Sequence, residues 1–219
     1  LASLAGLQYL IREPLISSAE KKAVILLHGV GSNEEDLFRF ANRFSEEFMV
    51  ISARAPHTIS PGRYAWFELS YSAAGKPVIN PEQAEKSRLQ IHTFIDTLAG
   101  QYEIKKSKIF LGGFSQGGIM SYSVGLTFPQ NLAGIFILSS RLLPEVKPLI
   151  RPREELKALE IFVAHGKNDQ VLPLTYAHDA LAYLQTLTDK ISYNEYDMIH
   201  TVGDQELTDL VNWLSAKSI

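Results

Sequence analysis

The sequence predicts an α/β fold in which helices cover both faces of a mainly parallel sheet of about seven strands. Short apolar segments alternate with helical patterns along the whole chain, an order typical of such sheets. Residues 23–27 and 135–138 are apolar at consecutive positions, as strands covered on both faces must be. The 219 residues are 46% hydrophobic and 21% charged, which favours one domain over residues 1–219 with a sizeable core.

Seven segments are predicted as strands because they are short and rich in apolar or β-branched residues. In chain order they are residues 8–11 (a weaker edge candidate), 23–28, 48–53, 108–112, 134–139, 161–165 and 191–196. Helices are predicted between them, where apolar residues recur near helical spacing. These are residues 34–44, 83–101, 117–127, 176–187 and 205–216. Residues 55–80 and 141–156 lack a regular pattern and are predicted to be functional loops.

Composition restricts the partners and the chemistry. The net charge is −3, and the densest basic group, Lys105, Lys106 and Lys108, reads as a solvated turn, so nucleic acid is not expected as a partner. The absence of cysteine excludes disulfides, cysteine-ligated zinc and a thiol nucleophile. No apolar run reaches the 18 or so residues that span a bilayer, and the apolar start lacks the basic region of a secretory signal. We therefore expect no stable membrane insertion and a cytoplasmic protein; a homodimer is left open.

Ser115 is predicted to be a nucleophile. It lies in Gly113-x-Ser115-x-Gly117, between a predicted strand and a predicted helix, where functional residues of parallel sheets collect. Small residues two positions before and after a serine permit the sharp turn that exposes its hydroxyl. One alternative is an incidental serine in a glycine-rich turn. Another is a phosphate-binding loop, although G-x-G-x-x-G and the P-loop lysine are missing.

A serine nucleophile needs a base, and histidine titrates near neutral pH without strong perturbation. Among the six histidines, His200 is predicted to be the base because it lies in a short loop after the last predicted strand. The others are expected to be structural or exposed, although His57 could line a site. They are His28, His57, His92, His165 and His178.

The histidine in turn needs a carboxylate that fixes its tautomer. Asp169 follows a predicted strand by one turn and is the stronger candidate. Asp197 is the alternative, but it lies three residues before His200 and is expected to be too close to approach the ring from its far side. The order Ser115, Asp169, His200 is the nucleophile–acid–histidine order of an α/β-hydrolase. All three residues lie at predicted strand ends.

Two backbone amides are predicted to stabilise the oxyanion. One belongs to Gln116, directly after the candidate nucleophile and at the start of a helix, where N–H groups are free. The other should come from the glycine-containing loop after an early strand. Within that loop we choose Val30, with Gly31 as the neighbouring alternative.

Four segments together resemble the phospholipase/carboxylesterase family of α/β-hydrolases, which includes acyl-protein thioesterases and small bacterial carboxylesterases. They are residues 27–31 (LHGVG), 63–67 (RYAWF), 113–118 (GFSQGG) and 165–173 (HGKNDQVLP). The resemblance implies an esterase that uses no cofactor or metal and has no large lid domain. It also implies the triad and the amide donors named above.

Two positions depart from the family pattern. Ser32 stands where many members carry an acid, and residues 138–144 (LSSRLLP) replace a turn that usually contains Leu-Ser-Gly, so that Arg141 adds a charge. Arg141, Trp66 and Phe67 are the predicted substrate contacts. Local packing is the alternative for the two aromatic residues.

The predicted reaction is the hydrolysis of a small carboxylic ester through an acyl-enzyme intermediate. One alternative is an acyl-protein thioesterase or lysophospholipase that acts on long acyl chains. The other, from a different class, is a non-catalytic ligand-binding protein that uses the same scaffold.

Overall fold

The structure is a computed structural model that describes residues 1–75 and 77–217. Its strands in chain order are β1 (Ala2–Leu4), β2 (Leu7–Arg12), β3 (Lys22–Leu27), β4 (Phe48–Ala53), β5 (His57–Ser60), β6 (Arg63–Ala65), β7 (Leu69–Tyr71), β8 (Pro77–Ile79), β9 (Ile109–Phe114), β10 (Gly134–Leu138), β11 (Glu160–Gly166) and β12 (Ile191–Tyr196). Its α-helices are α1 (Glu35–Phe38), α2 (Pro81–Tyr102), α3 (Gln116–Thr127), α4 (Arg153–Leu156), α5 (Thr175–Gln185) and α6 (Asp204–Lys217).

Eight strands form the main sheet, in the order β1-β2-β4-β3-β9-β10-β11-β12. The six strands from β4 to β12 in this order pair in parallel, while β1 and β2 join antiparallel at one edge. The prediction of a mainly parallel α/β sheet is confirmed, with one strand more than expected. The additional strand, β1, has three residues and connects to β2 through a tight turn at Ala5 and Gly6. Three residues are too few to show a strand period.

Apolar side chains cover both faces of the sheet. On one face β3 and β9 pack with α2, α3 and α5, through residues such as Phe94 and Leu184. On the other face the sheet packs with α1 and α6, through residues such as Leu37 and Trp213. Burial on both sides explains why β3, β9 and β10 are apolar at consecutive positions.

The secondary structure predicted for three segments is wrong. Residues 34–44 form the four-residue helix α1 and a 3₁₀ turn at Ala41–Arg43 rather than one helix. Residues 55–80 contain two antiparallel hairpins, β5–β6 and β7–β8. Their strands have three or four residues and are short of the length at which alternation can be recognised. Residues 141–156 contain a 3₁₀ helix at Pro144–Leu149 and the short helix α4, in a stretch whose three prolines disfavour a longer α-helix.

Helix α3 begins directly after Ser115 and crosses the interior. Every one of its 12 residues is buried, so its sequence is apolar or small on all sides rather than amphipathic. Neither α3 nor any other helix in the described part of the chain has both the length and the apolar character needed to cross a bilayer.

Candidate active site

Ser115 occupies a strained turn between β9 and α3. Its backbone has φ 54° and ψ −117°, a region that residues with a side chain rarely adopt. Three hydrogen bonds hold it there. The Ser115 N–H donates to the Leu138 carbonyl at 2.9 Å, and the Ser115 carbonyl accepts from the Ile119 N–H at 3.1 Å and from the Ser140 hydroxyl at 2.7 Å. The turn therefore directs the Ser115 side chain away from the sheet and into a pocket.

The glycines on either side of this turn allow the backbone of β3 to approach. A Cβ atom on Gly117 would lie 1.9 Å from the Leu27 carbonyl oxygen, and one on Gly113 would lie 2.3 Å from the same oxygen. Both distances are shorter than any real contact, and the atom met is backbone. The predicted role of the two glycines is thus explained by a crowded strand–turn–helix junction.

Ser115, His200 and Asp169 form a continuous chain of hydrogen bonds. The His200 Nδ1 lies 2.6 Å from Asp169 Oδ2, and its Nε2 lies 3.0 Å from the Ser115 Oγ. Because a carboxylate only accepts, Nδ1 carries the proton and Nε2 is left to accept from the serine hydroxyl. Asp197, the alternative acid, is exposed and accepts instead from Asn168 at 2.6 Å.

The loop after β11 holds the Asp169 carboxylate in place through hydrogen bonds from its own backbone. Its Oδ1 accepts from the backbone N–H groups of Val171 and Leu172 at 2.9 and 2.8 Å. His165, at the end of β11, braces the same loop because its Nε2 donates to the Leu172 carbonyl at 2.7 Å. Burial lowers the pKa of His165 and keeps it neutral, in agreement with the structural role predicted for it.

Two backbone N–H groups beside Ser115 are available to a ligand. Gln116 is the first residue of α3, so its N–H has no partner within the helix. Gly31 is not available, because its N–H donates to the Tyr64 carbonyl at 2.8 Å. Among the described residues the Val30 N–H has no acceptor, and this distinction separates Val30 from the neighbouring alternative.

His28 holds the loop that carries Val30. Its side chain is fully buried, Nδ1 donates to the Gly29 carbonyl at 2.8 Å, and Nε2 accepts from the Ala55 N–H at 3.1 Å. Burial lowers the pKa of His28, and the accepting Nε2 requires the neutral ring. The Trp66 indole N–H then donates to the His28 carbonyl at 3.0 Å.

The Gln116 side chain fixes the aromatic segment against α3. It accepts from the Trp66 N–H and donates to the Phe67 carbonyl, both at 2.7 Å. Sequence reasoning missed this function, since it used only the backbone of Gln116. A buried amide beside a nucleophile is the signal that could have indicated it, because such a group needs partners for both its donor and its acceptor atoms.

A cavity of about 410 Å³ opens at Ser115, a volume within the range of small-ligand sites. Phe67 and Arg141, two of the three predicted substrate contacts, line it. Trp66 does not: it is fully buried behind the wall, where the indole bonds to His28. In residues 1–75 and 77–217, no three His, Asp or Glu side chains are grouped as metal ligands.

The fold and the site define an α/β-hydrolase, because the serine turn, the acid loop and the histidine loop follow the parallel strands β9, β11 and β12 in that order. A model of the Phospholipase/Carboxylesterase family matches residues 15–218. The chain belongs to this family, and it is a carboxylic ester hydrolase. The resemblance stated from its motifs is confirmed.

Known proteins of this kind match nearly the whole chain. An acyl-protein thioesterase 1 from Emericella nidulans is 30% identical over an alignment that covers 93% of this chain and 94% of the relative. The solved structure of esterase PE8 is 25% identical with a TM-score of 0.79, covering 96% of this chain and 98% of that one. A carboxylesterase from Mesorhizobium loti shares the fold, with a TM-score of 0.82 at 18% identity over 98% of this chain and 97% of that one.

Proposed function

We propose that this protein hydrolyses small carboxylic esters through an acyl-enzyme formed on Ser115. The observation that carries the proposal is the hydrogen-bond chain from Asp169 through His200 to the Ser115 hydroxyl, with links of 2.6 and 3.0 Å. A serine is a weak nucleophile until an adjacent base removes its proton. In this arrangement the base already accepts from the serine hydroxyl, and a buried carboxylate orients it.

The reaction proceeds in two halves. The Ser115 Oγ attacks the ester carbonyl while His200 Nε2 takes its proton, and His200 then returns that proton to the departing alcohol. Water attacks the resulting acyl-serine with His200 again acting as base, which releases the acid and restores Ser115. Asp169 stabilises the imidazolium that forms in each half through its hydrogen bond to Nδ1.

The Val30 and Gln116 amides stabilise the tetrahedral oxyanion in both halves. Their N–H groups are fixed before substrate binds, so no reorganisation is needed when charge develops on the carbonyl oxygen. Support for this role comes from their free donors beside Ser115 and from the bonds of His28 and the Gln116 side chain, which immobilise the surrounding loops.

Substitution of the triad tests the proposal. Ser115→Ala should lower turnover of a p-nitrophenyl ester by about 10⁶-fold and Asp169→Ala by about 10⁴-fold. A fluorophosphonate probe should label the wild type at Ser115 and leave Ser115→Ala unlabelled. Ser107→Ala, at an exposed serine, is the matched control. Equal turnover in wild type and Ser115→Ala would refute the proposal.

A long acyl chain is the second candidate substrate, and a specific feature favours it. A groove of about 880 Å³ adjoins the cavity and shares Val30, Leu69 and Tyr71 with it, so an acyl chain could continue beyond the cavity. The Emericella nidulans relative is named an acyl-protein thioesterase. The same assay over acyl lengths from acetyl to palmitoyl separates the candidates, since a maximum at short chains excludes the long-chain substrate.

A further inference from the structure

The backbone of Arg141 lies close to the candidate nucleophile, Ser115, because the preceding residue is bonded to it. It follows Ser140, whose hydroxyl donates to the Ser115 carbonyl at 2.7 Å. The two residues precede the 3₁₀ helix Pro144–Leu149 and follow β10, the strand next to β9 in the sheet. The position of Arg141 is therefore tied to the turn that carries Ser115.

The Arg141 side chain faces the cavity and is half-buried. Its guanidinium carbon lies 5.4 Å from the centre of the Tyr176 ring, which also lines the cavity. Contact of this kind stabilises a cation over an aromatic face. Tyr176 thus gives the guanidinium a preferred position on the cavity wall.

No carboxylate neutralises Arg141 within the described part of the chain, and its guanidinium makes no hydrogen bond there. The other half-buried or buried arginines among the described residues have partners: Arg54 pairs with Glu34, Arg88 pairs with Glu85, and Arg12 donates to the Ser45 and Phe48 carbonyls. Of the described residues that line the cavity, Arg141 alone carries a formal charge, among side chains such as Val30, Phe67 and Ile119.

An unpaired guanidinium on a largely apolar wall has a specific chemical use. Its planar fork of N–H donors matches carboxylate and phosphate oxygens in a two-point contact. The apolar surroundings strengthen that contact compared with one in bulk water. A neutral ester leaves these donors unsatisfied, whereas an ester with an anionic group satisfies them.

We propose that Arg141 selects esters that carry an anionic oxygen group, a carboxylate or a phosphate, a few bonds from the scissile carbonyl. This inference rests on the proposed function, since it concerns the substrate of the same cavity. Arg141 is a specificity-determining residue in this scheme and takes no part in bond breaking.

Matched pairs of esters test the proposal. Monoethyl glutarate is compared with ethyl 5-methylhexanoate, in which an isopropyl group replaces the carboxylate. For the phosphate arm, 2-phosphonooxyethyl acetate is compared with 2-hydroxyethyl acetate. Hydrolysis is followed by acid release for the wild type, Arg141→Gln and Arg141→Lys, and Arg151→Gln is the control, because it removes the same charge from an exposed ion pair with Glu155.

Arg141→Gln should lower kcat/KM for an anionic ester by about 10- to 100-fold, the effect of one charge-assisted hydrogen bond. The loss for the neutral partner should be at least about tenfold smaller, because a neutral group accepts no charge-assisted hydrogen bond from Arg141. Arg141→Lys should recover part of the loss, since it restores the charge without the fork. The arm that shows the loss identifies the anionic group.

The selectivity of Arg141 and the proposed ester hydrolysis are refuted by two different results. Equal effects of Arg141→Gln on the anionic and neutral esters of both pairs overturn the selectivity of Arg141. Full activity of Ser115→Ala toward the neutral esters overturns the proposed function instead, and leaves the Arg141 comparison to be read independently.

Discussion

Glu206 is a buried carboxyl group beneath the loop that carries His200, and its removal should stabilise the protein at neutral pH. The side chain is fully buried in the first turn of α6. Its Oε2 accepts from the Gly203 N–H at 3.1 Å, while Oε1 has no partner within the described residues. Burial raises the pKa of Glu206 from its usual 4.5 to about 8, because water cannot solvate the charged form.

The direction and size of the effect follow from this pKa. The folded state holds the proton on Glu206 more tightly than the unfolded state, so this group destabilises the fold progressively as pH rises from about 4.5 to about 8. Each pH unit in that interval changes the free energy of unfolding by about 1.4 kcal/mol. Glu206→Gln removes the charge and keeps an acceptor for Gly203, so it should gain up to about 5 kcal/mol over wild type above pH 8.

Urea denaturation of wild type and Glu206→Gln at pH values from 4 to 9 measures the difference. The two proteins should be similar near pH 4 and diverge as pH rises. Glu154→Gln, at an exposed position, should follow the wild type at every pH. A constant difference between Glu206→Gln and wild type across this range would refute the assignment of a buried, protonated carboxyl group.

Two further predictions concern the turn at Ser115. Gly117→Ala should lower ester turnover at least about 100-fold, because its Cβ would lie 1.9 Å from the Leu27 carbonyl oxygen. Relieving this clash must displace the turn that carries Ser115, and a displacement of a catalytic group by about 1 Å costs that much in rate. Gly100→Ala, which has open space around it, is the control and should keep full activity. Ser140→Ala should lower the free energy of unfolding by about 1 kcal/mol through loss of its bond to the Ser115 carbonyl, and unchanged urea stability would contradict this.

Strand ends could be predicted from the sequence because consecutive apolar residues mark strands that are covered on both faces. Asp169 was located in this way, in the loop after β11. His200 was located by its place after β12, an edge strand that is not a continuous apolar run. The choice between Asp169 and Asp197 needed only the argument that a neighbour in sequence cannot reach the far side of the ring. In the structure Asp169 lies 2.6 Å from that ring and Asp197 turns to Asn168.

The walls of the cavity could not be predicted from the sequence to the same extent, because they depend on contacts between segments that are distant in the chain. The hairpins β5–β6 and β7–β8 have too few residues to show a period, and β6 is held by Tyr64, which exchanges backbone hydrogen bonds with Gly31 and Ser32. Trp66 and Phe67 are adjacent in sequence, yet one packs behind the wall and the other lines the cavity. The Gln116 side chain, 49 and 50 positions away, holds the backbone of both residues.

The separation between acid and histidine is determined by backbone contacts more than by side-chain choice. The N–H groups of Lys167 and Asn168 donate to the carbonyls of Tyr196 and Met198, at 2.8 and 3.1 Å, and so continue the β11–β12 pairing into the two functional loops. A Cβ atom on Gly166 would lie 2.4 Å from the Met198 carbonyl oxygen, so only glycine permits this approach. The distance between the backbones of the two loops is therefore fixed by these contacts, independently of the Asp169 and His200 side chains. His200 and Asp169 can form a hydrogen-bonded pair because the backbone pairing of β11 with β12 continues beyond the strands into the loops that carry them.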